Sequence, residues 1–301
     1  MESSFLTSVL LPFCLAAMMF GMGLSLIAED FTRVLNKPKS TFIGICCQIL
    51  VLPCLAFLLA TFFQLKQELA VGLMILSLVP GAVVSNFFTY LAKGNVALSI
   101  SLTALVSLIT PFSLPFLLAL STKYFSSNQS DFNLPFAQTS LSLLAITIVP
   151  VVIGMFVRKL FEAFAKKCEK ITRIFSTTVL FLIVAGLIKR HWDIIPESFA
   201  AIGLVCLLFN VLTFSTAYMI SSFAGLSRKD VITIAIEAGF QSSAMALFIA
   251  STILGQGAMA IVPAVYSLVM FFTGGGLIYY LSKYEKKSEL EEVRPTTHWI
   301  A

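Results

Sequence analysis

Val231-Ile232-Thr233-Ile234-Ala235-Ile236-Glu237-Ala238-Gly239-Phe240-Gln241-Ser242-Ser243-Ala244-Met245-Ala246-Leu247 is an apolar run with one carboxylate inside it. Of the 15 acidic residues, the other fourteen fall in linkers, at segment ends or in the termini. At 1.5 Å per residue Glu237 lies about 10 Å inside its helix. A carboxylate at that depth in a bilayer costs several kcal/mol unless a cation or a proton compensates it. No other apolar segment holds a well-buried Lys or Arg to pair with it. A cation or proton site is the sharper reading, and a protonated or Arg-paired structural glutamate is the plainer one. Gln241 lies one turn on, so it shares a helix face with Glu237. Gly239 and Ser242-Ser243 loosen the helix there and would expose backbone carbonyls in mid-membrane.

A second stretch has a matching defect. Leu76-Ser77-Leu78-Val79-Pro80-Gly81-Ala82-Val83-Val84-Ser85-Asn86 carries Pro-Gly inside an apolar run. Proline removes a backbone donor and clashes with the preceding turn, and glycine permits unusual dihedrals. The reading is a helix broken at Pro80-Gly81 that restarts near Ser85-Asn86; an ordinary proline kink is the alternative. Two broken spans, one in each half of the chain, are the sequence pointer to an inverted-repeat transporter.

The rest of the chain sets the frame. It has 301 residues, 58% of them apolar and 12% charged, with 28 Phe. Soluble domains carry roughly 25% charge. So lean a polar surface excludes a soluble enzyme, a disordered chain and a nucleic-acid binder. It leaves an all-α polytopic membrane protein, because in lipid a helix satisfies its own backbone. Nine segments are long enough to span, near 5–28, 40–63, 69–92, 95–121, 137–157, 174–190, 197–223, 231–254 and 258–282. Residues 1–282 read as one transmembrane domain, and 283–301 as a charged, disordered cytoplasmic tail. The first segment lacks a basic leader and is too long for a signal peptide. With the N-terminus outside, 16 of the 20 Lys and Arg fall on the inner side, as the positive-inside rule requires. Nine spans and an N-out, C-in topology therefore support each other. The third and eighth spans then run in opposite directions, as an inverted repeat demands.

Further oxygen donors lie in the spans. Ser99 and Thr103 are four apart on the fourth, and Gln48 precedes Pro53 in the second. Singly, each reads as a packing hydroxyl or amide. Together with Ser85, Asn86, Glu237 and Gln241 they form an all-oxygen set suited to a hard cation. The two histidines, His191 and His298, fall in a linker and the tail, so a transition-metal site is not expected. The six cysteines (Cys14, Cys46, Cys47, Cys54, Cys168, Cys206) read as packing residues. No nucleotide-binding, zinc-protease or serine-hydrolase motif occurs, so no catalytic set is expected. Asn128-Gln129-Ser130 fits the glycosylation pattern in an outer linker.

Four motifs together resemble the bile acid:sodium symporter family. They are Phe20-Gly21-Met22-Gly23-Leu24-Ser25-Leu26, Pro80-Gly81-Ala82-Val83-Val84-Ser85-Asn86, Leu91-Ala92-Lys93-Gly94-Asn95-Val96-Ala97-Leu98-Ser99 and Ile236-Glu237-Ala238-Gly239-Phe240-Gln241-Ser242-Ser243. The resemblance runs in order from about residue 16 to 282, and nine spans resemble the mammalian bile acid transporters. It implies a core domain with two crossing broken helices (second, third, fourth, seventh, eighth and ninth spans) and a panel of the first, fifth and sixth. It implies two sodium ions as coupling ions. One would bind Ser85, Asn86, Ser99, Thr103 and Glu237. The other would bind Gln48, Gln241, Glu237 and backbone oxygens of Ala238 and Phe240.

For the cargo the resemblance implies an organic anion, bile-acid-like or a small carboxylate. Ala82-Val83 stand where relatives have glycine and a polar residue, Ser242 where many have asparagine, and Met270-Phe271 where some have polar groups. Val83, Asn86, Ser242, Met270 and Phe271 are thus the candidate substrate contacts, in a cavity less polar than in those relatives. Expected partners are the anion and the lipid bilayer, with no nucleic acid and no obligate protein. The expected location is the plasma membrane, or the inner membrane of a bacterium. The expected mechanism is sodium-coupled symport by alternating access. A proton-coupled carrier, a channel and a receptor are its rivals.

Overall fold

The computed structural model describes residues 11–27, 37–125, 136–165 and 195–292, with single positions between 167 and 178. Its described elements are helical: α1 (Leu11–Ser25), α2 (Pro38–Phe62), α3 (Gln67–Leu78), α4 (Val84–Leu91), α5 (Val96–Phe125), α6 (Phe136–Leu160), α7 (Ile195–Phe223), α8 (Arg228–Gly239), α9 (Ser243–Ile253) and α10 (Ile261–Glu292). Among the described residues five helices are long and apolar enough to cross a membrane: α2, α5 and much of α6, α7 and α10. The third and eighth segments fall short of that length because each is split into two half-helices. The sixth segment, 174–190, lies outside the described residues apart from Ile174 and Thr178, as do Asn128 and both histidines.

The C-terminal end departs from expectation. The helix continues past residue 282 to Glu292, where a disordered tail was read. Ser282-Lys283-Tyr284-Glu285-Lys286-Lys287-Ser288-Glu289-Leu290-Glu291-Glu292 is rich in strong helix formers, so a helix already nucleated in the membrane propagates into it.

Lipid offers no hydrophobic drive for helix association, so close packing and buried polar contacts hold the bundle. The α1–α6 pair shows the first. Gly23 and Gly154 face each other so tightly that a Cβ built on Gly154 would lie 2.9 Å from the Gly23 backbone. The largest packed surfaces otherwise join α7 with α8 and α10, α3 with α5, and α2 with α3. A polar cluster ties three helix ends at one face. Asp230 accepts hydrogen bonds from Lys37 Nζ (2.8 Å), Asn95 Nδ2 (2.7 Å) and Ser40 Oγ (3.1 Å). Ser227 caps α8 by accepting from the Asp230 N–H, and Asp230 in the first turn complements the helix dipole.

Candidate functional site

The two helix breaks meet at the centre of the bundle. Val79 is extended, as the residue before a proline prefers, and α3 stops at Leu78. The chain turns through Pro80-Gly81 and resumes as α4 at Val84. On the other side α8 stops at Gly239, Phe240 is extended, and α9 starts at Ser243. The two extended pieces pair antiparallel at Gly81 and Gln241. The Ala82 N–H donates to Phe240 O (2.7 Å) and the Ser242 N–H to Pro80 O (2.9 Å). Each break thereby satisfies backbone groups that the other leaves open, as buried backbone in a membrane must.

Glu237, on the last turn of α8, sits beside this crossing and is fully buried. Its Oε1 accepts from Ser85 Oγ at 2.5 Å and from Ser99 Oγ, and its Oε2 accepts from Thr103 Oγ1 at 2.9 Å. These hydroxyls come from α4 and α5, so three helices converge on one carboxylate. The approach needs Gly81, because a Cβ there would overlap Glu237 Oε2. Among the described residues no Lys or Arg forms an ion pair with Glu237. The carboxyl group is held among the described residues by hydroxyl hydrogen bonds and not by an ion pair.

Uncommitted acceptors surround it. Gln48 is buried within reach of Glu237, yet its Nε2 and Oε1 make no hydrogen bond of good geometry. It is aimed inward by a π-helical turn over Cys47–Val51, where the helix accommodates Pro53. Such turns concentrate at functional sites. Gln241 donates through Nε2 to the carbonyls of Glu237 (3.2 Å) and Ala238 (2.8 Å), leaving its Oε1 without a donor. Asn86 Oδ1 is buried and equally free of donors. A buried amide oxygen that no protein donor reaches is costly unless something positive approaches it. An oxygen-only donor set around one carboxylate fits a hard monovalent or divalent cation.

Of the five residues singled out from sequence for the first cation site, Ser85, Ser99 and Thr103 bond Glu237, whereas Asn86 makes no hydrogen bond to it. For the second, Gln241 bonds the Ala238 carbonyl, Gln48 reaches toward Glu237 from α2, and the Phe240 carbonyl is engaged by Ala82. Of the candidate substrate contacts, Val83, Asn86 and Phe271 are partly exposed, whereas Ser242 and Met270 are buried. Phe271 joins an aromatic cluster over the break, with Phe88 and Phe240 rings 4.2 Å apart and Phe271 6.1 Å from Phe88. Three residues at the site were not read from the sequence. Thr89 donates to Ser99 Oγ at 3.4 Å and lies one turn from Ser85, a spacing that could have revealed it. Asn210 and Tyr266 bond the Gly239 carbonyl, and Asn210 is an amide in a mid-span apolar run, the same signal that exposed Gln48.

Known proteins share this chain's pattern. The sodium bile acid symporter family matches residues 12–198. The uncharacterized sodium-dependent transporter YocS of Bacillus subtilis is 30% identical over 277 residues, covering 91% of this chain and 84% of that protein. The ileal sodium/bile acid cotransporter of Homo sapiens is 27% identical over 300 residues, 96% and 84% of the two chains. A probable chloroplastic sodium/metabolite cotransporter of Oryza sativa subsp. japonica, BASS2, is 28% identical over 264 residues, 88% and 61% of the two. With two broken helices crossing beside a buried carboxylate and a family match over more than half its length, this chain belongs to the sodium bile acid symporter family, whose members are membrane transporters and not enzymes.

Proposed function

We propose that this protein carries an organic anion across its membrane together with two sodium ions. The observation that carries the reading is Glu237: fully buried, bonded by three hydroxyls, unpaired with any described Lys or Arg, and flanked by bare amide oxygens. Sodium is cargo here. One ion would bind Glu237, Ser85, Asn86, Ser99 and Thr103, and the other Glu237, Gln48, Gln241 and the Ala238 and Phe240 carbonyls. Two cations against one carboxylate leave the site at +1, which favours an anion alongside. The half-helices point their N-termini, at Val84 and Ser243, toward the crossing, where their dipoles favour a carboxylate. Val83, Asn86, Ser242, Met270 and Phe271 would line the anion's place. The aromatic cluster suits an anion with a substantial apolar body, and the names of the relatives give bile acids and metabolites as the classes to screen.

Alternating access follows from two bodies. α1 packs most extensively on α6, and both belong to the proposed panel with the sixth span; α2 to α5 and α7 to α10 form the core that holds the ions. The N-terminus lies outside and the C-terminus in the cytoplasm. The test is thermal unfolding of the purified protein in sodium against potassium at equal ionic strength, wild type beside Glu237→Ala. Sodium-specific stabilisation lost in the variant supports the reading. No sodium effect but a pH dependence lost in the variant replaces sodium with a proton.

A further inference from the structure

The carbonyls at the end of α8 can be accounted for one at a time. Ile236 O accepts from the Phe240 N–H, Glu237 O and Ala238 O from Gln241 Nε2, and Phe240 O from the Ala82 N–H. Gly239 O is held differently, by two side chains from other helices. Asn210 Nδ2 on α7 donates to it at 2.7 Å, and Tyr266 Oη on α10 donates to it at 2.7 Å. Asn210 Nδ2 also donates to Tyr266 Oη at 2.8 Å, so amide, phenol and carbonyl close a ring of three hydrogen bonds. Both side chains are fully buried.

Gly239 lies between Ala238 and Phe240, the two residues whose carbonyls are proposed as ligands of the second sodium ion. Gly239 closes α8 and Phe240 is already extended, so the Gly239–Phe240 peptide is the joint between the helical carbonyl of Ala238 and the extended carbonyl of Phe240. Fixing Gly239 O toward α7 and α10 therefore fixes how the neighbouring carbonyls are presented to a cation. We infer that Asn210 and Tyr266 are positioning residues for the second sodium site: they orient the broken end of α8 without touching the ion. This rests on the sodium reading above.

The test uses the purified full-length chain and sodium alone. Sodium chloride is titrated against potassium chloride at constant ionic strength, and the sodium midpoint for thermal stabilisation is read for Tyr266→Phe and Asn210→Leu. Tyr266→Phe keeps the ring that packs 5.8 Å from Phe209, so it removes only the hydroxyl. Thr147→Val serves as control, because it deletes a buried hydroxyl of α6 that bonds only within its own helix. Each positioning variant should raise the sodium midpoint about threefold to tenfold, the worth of one or two neutral hydrogen bonds. The control should leave it in place. A merely structural role would lower stability in potassium without moving the midpoint, and that outcome in either variant overturns the inference. A wild type indifferent to sodium refutes the sodium reading and this inference with it; a responsive wild type with unshifted variants refutes the inference alone.

Discussion

Glu237→Gln separates the charge of the carboxylate from its shape. Ser85 and Ser99 both donate to Oε1, and a glutamine oxygen can accept the same two bonds. Thr103 donates to Oε2, which becomes an NH2 group in the variant. Thr103 Oγ1 also lies 3.1 Å from the Ser99 carbonyl, so it can turn its proton there and accept from the new amide. The variant therefore keeps its hydrogen bonds and loses a buried, unpaired charge. Two effects of opposite sign follow. In potassium the variant should be more stable than wild type, by about 1 kcal/mol or more, since an unpaired buried ion costs several kcal/mol before relaxation by protons or water. In sodium at 100 times the dissociation constant, wild type should gain about 2.7 kcal/mol per occupied site and the variant little or nothing. The ranking of the two proteins should thus invert or narrow between the salts. Thermal unfolding in detergent at fixed pH and ionic strength reads both effects. A variant less stable than wild type in potassium that keeps the full sodium-specific gain would refute the placement of the ions at Glu237.

Other outcomes can be checked with the same protein. Gly81→Ala places a methyl group against Glu237 Oε2 and should reduce the sodium-specific stabilisation while the half-helices persist by circular dichroism. Gly274→Val drives a side chain into the rings of Phe240 and Phe88; it should lower anion uptake in vesicles more than it lowers sodium stabilisation. Asp230→Ala strips the acceptor from Lys37, Asn95 and Ser40, and should cost about 1–3 kcal/mol of stability without a change in sodium midpoint. In a chain whose other cysteines are serine, Cys168 should be labelled in intact cells only by a membrane-permeant maleimide; labelling by an impermeant one would reverse the topology.

The candidate site is legible in the sequence because a membrane makes polar residues expensive. Glu237, Gln241, Gln48, Ser99 and Thr103 stand out against apolar neighbours, and Pro80-Gly81 marks a helix that cannot continue. Asn210 carries the same signal, but one amide looks like any packing amide until its partner is known. Tyr266 carried none, because a tyrosine in an apolar span reads as bulk. The extension of α10 to Glu292 is hidden in the sequence because charge density resembles disorder, whereas Lys and Glu are good helix formers once a helix exists.

Composition and the spacing of breaks determined by themselves that the chain is a helical membrane protein with two interrupted apolar runs and one buried carboxylate that a cation or a proton must compensate. They do so because lipid penalises each unpaired polar group wherever it lies along the chain. Only the tertiary structure decided that the interruptions pair with each other through Gly81 and Gln241, that Ser85, Ser99 and Thr103 reach the same carboxylate, and that Asn210 and Tyr266 hold Gly239. Those contacts join residues far apart in the chain, as Ser85 and Glu237 are with a separation of 152. Local propensity carries no information about which distant helix will supply the partner; the packing of the whole bundle does.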